Sequence, residues 1–258
     1  MKWRDSLKTK FIIFGIQRTG TIWLSKLLDN HPEIMCFGEI FQNTNSPCHK
    51  SAGVMRYQPY IRSSLYWRVK NIFFPDESIE SYLRKVFSYC SHTAAGFKLM
   101  LNQILQYPYL NSYLKRNNFK VIQVRRKNIL KIYISRIRSN ETGVFHAIEA
   151  QKQIKIRMPI PHLIQGLEGI KDEIDRLKQN VVDINREYCL LTYENLIENR
   201  DEELFRILSF LDVNPDISLQ CESKKITSED LSQVVLNYDE VSNVLKNTPY
   251  EQYLSPTI

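Results

Sequence analysis

The turn Gly15-Ile16-Gln17-Arg18-Thr19-Gly20-Thr21 is the part of this sequence best suited to holding an anion. Two glycines at this spacing let backbone N–H groups turn inward on a phosphate-like group, and a helix opening at Thr21 adds partial positive charge. Thr19 and Thr21 can contribute hydroxyl donors. The lysine and metal-binding hydroxyl that ordinarily follow the second glycine of a triphosphate loop are replaced by Thr21-Ile22, and the cation stands inside the loop as Arg18. This composition disfavours a magnesium-triphosphate kinase or ATPase and suits a shorter anion handled without a metal. On the blander reading the two glycines only make a tight turn.

A second group of cations is Arg125-Arg126-Lys127, followed by Asn128, a good helix N-cap. Ser135 lies seven residues after Asn128, close to two helical turns, so it shares that face about 10 Å along the axis. A strand-end arginine and a helix hydroxyl can then converge on one phosphate, with the arginine bidentate. Lys131, Arg136 and Arg138 read as a solvated basic face. Glu39 and Lys98 are the remaining chemistry-bearing residues near strand ends.

These residues need a scaffold that gathers them. Short apolar runs at 11–15, 33–38, 94–100, 119–124 and 188–193 read as strands, and amphipathic stretches at 21–32, 78–90, 102–116, 128–139, 162–179 and 200–211 read as helices. Strands alternating with long helices imply an α/β fold of three layers, a mostly parallel central sheet with helices on both faces. In such a sheet all strands end at one edge, where ligands bind. Four strand ends thereby deliver Arg18, Lys98, Arg125, Arg126, Lys127 and the carboxylate of Glu39 to one rim. The stretch 41–75, with Pro47, Pro59, Pro75 and many aromatics, reads as an insertion or irregular lid.

Composition sets the outer bounds. The chain has 258 residues, 43% hydrophobic and 24% charged, with a formal charge of +7. That is ordinary globular composition, and one domain spanning 1–258 is the simplest count. The longest apolar run, Phe11-Ile12-Ile13-Phe14, is far short of the ~20 residues that span a bilayer, and the first ten residues lack an apolar signal core. Five scattered cysteines without CxxC or CxxH spacing argue against structural zinc and for reduced thiols, hence a cytoplasmic location. The basic excess is modest, and there is no aromatic–basic interleaving of a nucleic-acid module. Oligomeric state is not readable.

The run FIIFGIQRTGTIWLSKLLDNHPEI resembles the 5′-phosphosulfate loop of sulfotransferases that use 3′-phosphoadenosine-5′-phosphosulfate (PAPS). VRRKNILKIYISRIRS at 124–139 is similar to that family's 3′-phosphate motif, in the R-x-N-x-L-x-x-Y-x-S form of bacterial members. The likeness continues through 96–100, 190–213 and 232–245, and fades over roughly 41–90 and 141–185, where acceptor specificity is expected. The resemblance implies a P-loop-like fold. It implies a 5′-end site of Gln17, Arg18, Thr19, Gly20, Thr21 and Ile22, and a 3′-phosphate site of Arg126 and Ser135. Lys127 takes the place of Arg126 if the spacing of other members applies. Lys224 and Lys225 are weaker nucleotide candidates, with a solvated loop as the alternative.

The reaction so implied moves SO3 in line to an acceptor hydroxyl on a carbohydrate or glycolipid, with no metal, leaving 3′,5′-bisphosphoadenosine. Arg18 stabilises the leaving phosphate. Met100 stands where cytosolic members carry a histidine base, so Glu39 becomes the candidate base, with partial burial expected to raise its basicity, and Lys98 orients it or touches the leaving group. A structural ion pair is the competing role for Glu39 and Lys98. His31 and Glu194 read as structural. Tyr57, Tyr60, Tyr66 and Trp67 form either a sugar-stacking wall or an ordinary core patch. The rival functions are a divergent P-loop small-molecule kinase and a non-enzymatic nucleic-acid-binding module.

Overall fold

A computed structural model describes residues 7–43, 54–142, 155–185, 187–219 and 230–255. Five parallel strands, β1 (Thr9–Gly15), β2 (Ile34–Cys36), β3 (Ala94–Met100), β4 (Lys120–Arg125) and β5 (Tyr188–Thr192), form one sheet in the order β2-β3-β1-β4-β5. Their residues alternate between two cores. Ile12, Phe14, Phe97, Leu99 and Val121 face one side, while Phe11, Ile13, Ile122, Val124 and Leu191 face the other. This is the pattern of strands buried on both faces. All five expected strands are present, with ends shifted by a few residues.

The sheet's topology creates the site. Helix α1 (Thr21–Asp29) leaves β1 and packs Leu24, Leu27 and Leu28 on one face. Helix α7 (Ile129–Thr142) leaves the neighbouring strand β4 and packs Ile129, Leu130, Ile132 and Ile134 on the opposite face. Adjacent parallel strands whose following helices diverge to opposite faces open a crevice at their carboxyl ends.

Prolines explain where the sequence expectation and the structure differ. The stretch 41–75, read as irregular, contains α2 (Tyr57–Arg62) and α3 (Leu65–Phe73) and ends where α4 (Pro75–Ser88), the helix expected at 78–90, begins. Pro59 lies in the first turn of α2 and Pro75 opens α4, positions where a missing amide hydrogen costs no helical bond. The single helix expected over 102–116 is instead α5 (Leu101–Gln106) and α6 (Tyr109–Arg116). Pro108 forces the break, because the residue before a proline is driven out of the helical region, and Tyr107 has φ −124° and ψ 73°. Helix α8 (Leu163–Ile184) is longer than expected, α9 (Tyr193–Glu198) and α11 (Tyr238–Leu245) are additional, and α10 (Arg200–Phe210) matches closely. No helix among the described residues is long and apolar enough to cross a membrane.

Candidate active site

The loop after β1 is built by local constraints. Arg18 has φ +72° and Gly20 φ +91°, both in the left-handed region that reverses the chain sharply. The Thr19 hydroxyl donates to Ile16 O at 2.9 Å and closes the turn. A Cβ on Gly20 would lie 2.6 Å from Tyr193 Cδ2, so glycine is needed there for packing as well as for backbone angle. Gly20 stands at the N-cap of α1 and offers no side-chain cap, and first-turn N–H groups of a helix are suited to an anion. Gln17 is exposed at the loop tip.

Across the crevice the two motifs meet. Arg18 Nε donates to Ser135 Oγ at 2.8 Å, joining the β1 loop to the middle of α7. Asn128 caps α7 as its type suggests: its Oδ1 accepts from Lys131 N at 2.9 Å, and its Nδ2 donates to Tyr253 O at 2.9 Å. Burial, and after it the positive charges of Arg126 and Arg138, hold the Arg18 guanidinium below the usual arginine range, with Tyr193 opposing. Three arginines therefore crowd one spot at an electrostatic cost that a polyanion would remove.

The consecutive cations after β4 diverge, as pleating requires. Arg125 turns back to donate to Gln123 Oε1 at 2.9 Å. Arg126 lies over the Tyr193 ring, 4.8 Å from its centroid, and its Nε is buried with no hydrogen-bond partner. Burial also lowers the Arg126 guanidinium, opposed by Tyr193 and Glu194. Lys127 turns outward: its N–H bonds both Glu194 oxygens at 3.1 and 3.0 Å, and its Nζ reaches Asn195 Oδ1 at 3.5 Å. Glu194 thus clamps the β4–α7 turn, the structural role its position suggested. His31 is likewise structural, bonded through Nε2 to Asn214 O at 2.9 Å.

At the other end of the rim, Gly38 (φ +70°) swings Glu39 over the end of β3. Lys98 Nζ contacts Glu39 Oε1 at 2.5 Å, and Gln103 Nε2 donates to Glu39 Oε2 at 3.2 Å. Gln103 is oriented in turn by Met100 N, which donates to its Oε1 at 3.0 Å. Burial lowers the Lys98 ammonium, Glu39 opposes that shift, and Arg18 adds to it, so Lys98 stands within the electrostatic reach of the β1 loop.

Sequence reasoning missed four residues here. Tyr193, read as the last residue of the strand at 188–193, instead follows β5 and opens α9, and packs edge-on against Trp23 with centroids 6.3 Å apart. Trp23 Nε1 is buried without a partner. Arg138, expected to be solvated, is 8% exposed and near enough for its charge to act on Arg18. Its spacing of three from Ser135 was the available signal. Gln103 had none, because its contact with Glu39 depends on how the chain turns after β3. Arg136 is also no free surface charge: it makes a two-bond pair with Glu173 at 2.9 and 2.7 Å. Tyr57 and Tyr60 are core residues, Trp67 packs on Tyr60, and Tyr66 is exposed, so the four do not make one wall. Lys224 and Lys225 lie outside the described residues. A cleft of about 480 Å³ beside the far half of α7, lined in part by Ile137, Met158 and Ile160, includes none of these site residues.

The chain was compared with known families and structures. The sequence profile described as Sulfotransferase domain matches residues 8–251. No curated protein sequence matches the chain. Among solved structures, a sulfotransferase from Alicyclobacillus acidocaldarius is similar at 13% identity and a TM-score of 0.50, covering 96% of this chain and 94% of that one. Sulfotransferase STF9 from Mycobacterium avium is 11% identical with a TM-score of 0.46, covering 93% of this chain and 75% of that one. The sulfotransferase domain of the Synechococcus PCC 7002 olefin synthase is 13% identical with a TM-score of 0.41, covering 96% and 91%. The fold likeness rests on the first of these and the family on the profile match across nearly the whole chain: this protein belongs to the sulfotransferase family.

Proposed function

We propose that this chain transfers a sulfuryl group from PAPS to a hydroxyl of a carbohydrate or glycolipid, as a single domain whose acceptor specificity resides in 41–90 and 141–185. The observation that carries the reading is the Arg18–Ser135 contact at 2.8 Å, which brings the two anion motifs to one rim. The residues fit such a nucleotide. Arg126 Nε and Trp23 Nε1 are buried donors without partners, and Arg18 is destabilised by neighbouring positive charge.

In this reading the backbone N–H groups from Gln17 to Ile22 hold the 5′ end, Arg126 and Ser135 hold the 3′-phosphate, and Trp23 and Tyr193 offer their ring faces to the base. When bound, PAPS supplies an SO3 group whose S–O bond to the 5′-phosphate breaks as the acceptor oxygen attacks. Arg18 neutralises charge on the departing phosphate, and Arg138 reinforces the positive field around it. Glu39 takes the acceptor proton, while Lys98 and Gln103 fix its carboxylate, one on each oxygen.

The test is calorimetric titration with 3′,5′-bisphosphoadenosine in EDTA, followed by transfer of labelled sulfate from PAPS to a panel of glycans. Tight binding without metal and label transfer support the proposal. Magnesium-dependent ATP turnover would point to a kinase, and steeply salt-dependent polynucleotide binding to a nucleic-acid module.

A further inference from the structure

Helix α3 carries an apolar face that nothing in the described fold covers. At 100° per residue, Ile72, Leu65, Val69, Phe73 and Tyr66 fall on one side of the helix. All five are exposed, Leu65 at 74%, Ile72 at 70% and Phe73 at 69%, and Phe74, just past the helix, is exposed too. The opposite side anchors the helix to the protein: Trp67 packs on Tyr60 with centroids 4.7 Å apart, and Asn71 Oδ1 accepts from Tyr57 OH at 2.5 Å. Arg68 and Lys70 flank the stripe, one on each side, and Arg62 ends the preceding helix.

The charge pattern identifies the occupant. From Ile40 to Pro75 the sequence contains no Asp or Glu. The exposed cations beside the stripe are Arg62 and Arg68, while Arg56 is buried and Lys70 is mostly buried. The next carboxylates, Asp76 and Glu77, open α4, and Glu77 pairs with Lys70 at 3.4 Å. An apolar stripe bordered by cations matches a surface that is apolar beneath and anionic at its headgroups. A second copy of the chain is a poorer match, since a two-fold contact would set Arg62 and Arg68 against their own counterparts.

We propose that α3 is an interfacial helix that docks the protein on anionic phospholipid bilayers, with Leu65, Val69, Ile72 and Phe73 entering the headgroup–acyl boundary. Tyr57 N, at the start of α2, bonds Ile40 O at 2.8 Å, which ties the α2–α3 segment to the chain beside Glu39. The proposal is independent of sulfuryl transfer, because docking is read with no donor present.

The test is co-sedimentation of the full chain with vesicles of phosphatidylcholine alone or containing about 30% phosphatidylserine. Binding is expected to the anionic vesicles only, and to fall with added salt. Ile72→Asp/Phe73→Asp should weaken it more than about tenfold, and Arg68→Gln about fivefold. These exposed substitutions should leave the thermal melt and bisphosphate affinity unchanged, which separates lost docking from lost folding. Absence of binding to anionic vesicles overturns the proposal, as does binding that neither variant changes. A lipid-free dimer abolished by Ile72→Asp/Phe73→Asp overturns it in favour of a second copy.

Discussion

Replacing Arg126 by alanine separates the two ends of the nucleotide. Its guanidinium lies 4.8 Å from the Tyr193 centroid with a buried, unpartnered Nε. A charge-assisted hydrogen bond contributes about 1.5–3 kcal/mol. Because the residue is not fully buried, we take a value below the middle of that range, about 2 kcal/mol, for its contact with a 3′-phosphate. Loss of the cation–π contact adds about 0.5–1 kcal/mol through a loosened Tyr193, and that part falls equally on any adenosine nucleotide. The dissociation constant of 3′,5′-bisphosphoadenosine should therefore rise about 100-fold and that of 5′-AMP about threefold. Calorimetry in EDTA reads both. Lys127→Ala should change neither by more than about twofold, since that side chain is turned towards Asn195. Equal weakening of the two ligands by Arg126→Ala, or selective weakening by Lys127→Ala, would refute the assignment.

Other outcomes follow from the same geometry. Glu39→Gln keeps the side-chain shape, so bisphosphate affinity should hold while kcat falls by about 10²-fold or more; parallel losses in stop-flow turnover and calorimetric binding would make Glu39 structural. Lys98→Met leaves Glu39 without its cation in a mostly buried position, 18% exposed, and should cost about 2 kcal/mol, seen as a Tm lower by about 5 °C. Gly20→Ala combines φ +91° with the Tyr193 clash and should cost about 1–3 kcal/mol in urea denaturation while also weakening nucleotide binding. Burial pushes the Cys36 thiol up to about 11. The folded state holds that proton when the unfolded chain, with a thiol near pKa ~8.5, has released it. Its contribution is thus complete below about pH 8.5 and drains away as pH rises towards about 11, so Cys36→Ala should flatten the loss of stability measured across that range.

Much of the site was legible because it lies in contiguous motifs. Gly15 to Thr21 encodes a strand end, a turn and a helix start within one short run, and Asn128 to Ser135 encodes a helix face by its spacing. Parallel strands then bring such runs to one rim without further information. What was illegible depends on side-chain direction and on contacts remote in sequence. Arg125 and Arg126 are chemically alike, and only the pleat of β4 sends one back along the sheet and the other into the crevice. Gln103 and Glu39 are 64 positions apart. The stretch 41–75 reads as irregular because of its prolines, yet Pro59 and Pro75 sit in helix first turns where the fold tolerates them. Tyr57 and Tyr60 fill a core with Phe41 rather than lining a cleft, while Tyr66 is exposed.

The most direct measurement is a crystal structure of the chain with 3′,5′-bisphosphoadenosine grown in EDTA. The account predicts one nucleotide across the crevice between α1 and α7, its 5′-phosphate on the Arg18 loop and its 3′-phosphate on Arg126 and Ser135, each within about 3 Å of a donor nitrogen or hydroxyl. A nucleotide bound elsewhere, or one whose two phosphates both lie on the Arg18 loop and leave Arg126 uncontacted, would contradict it.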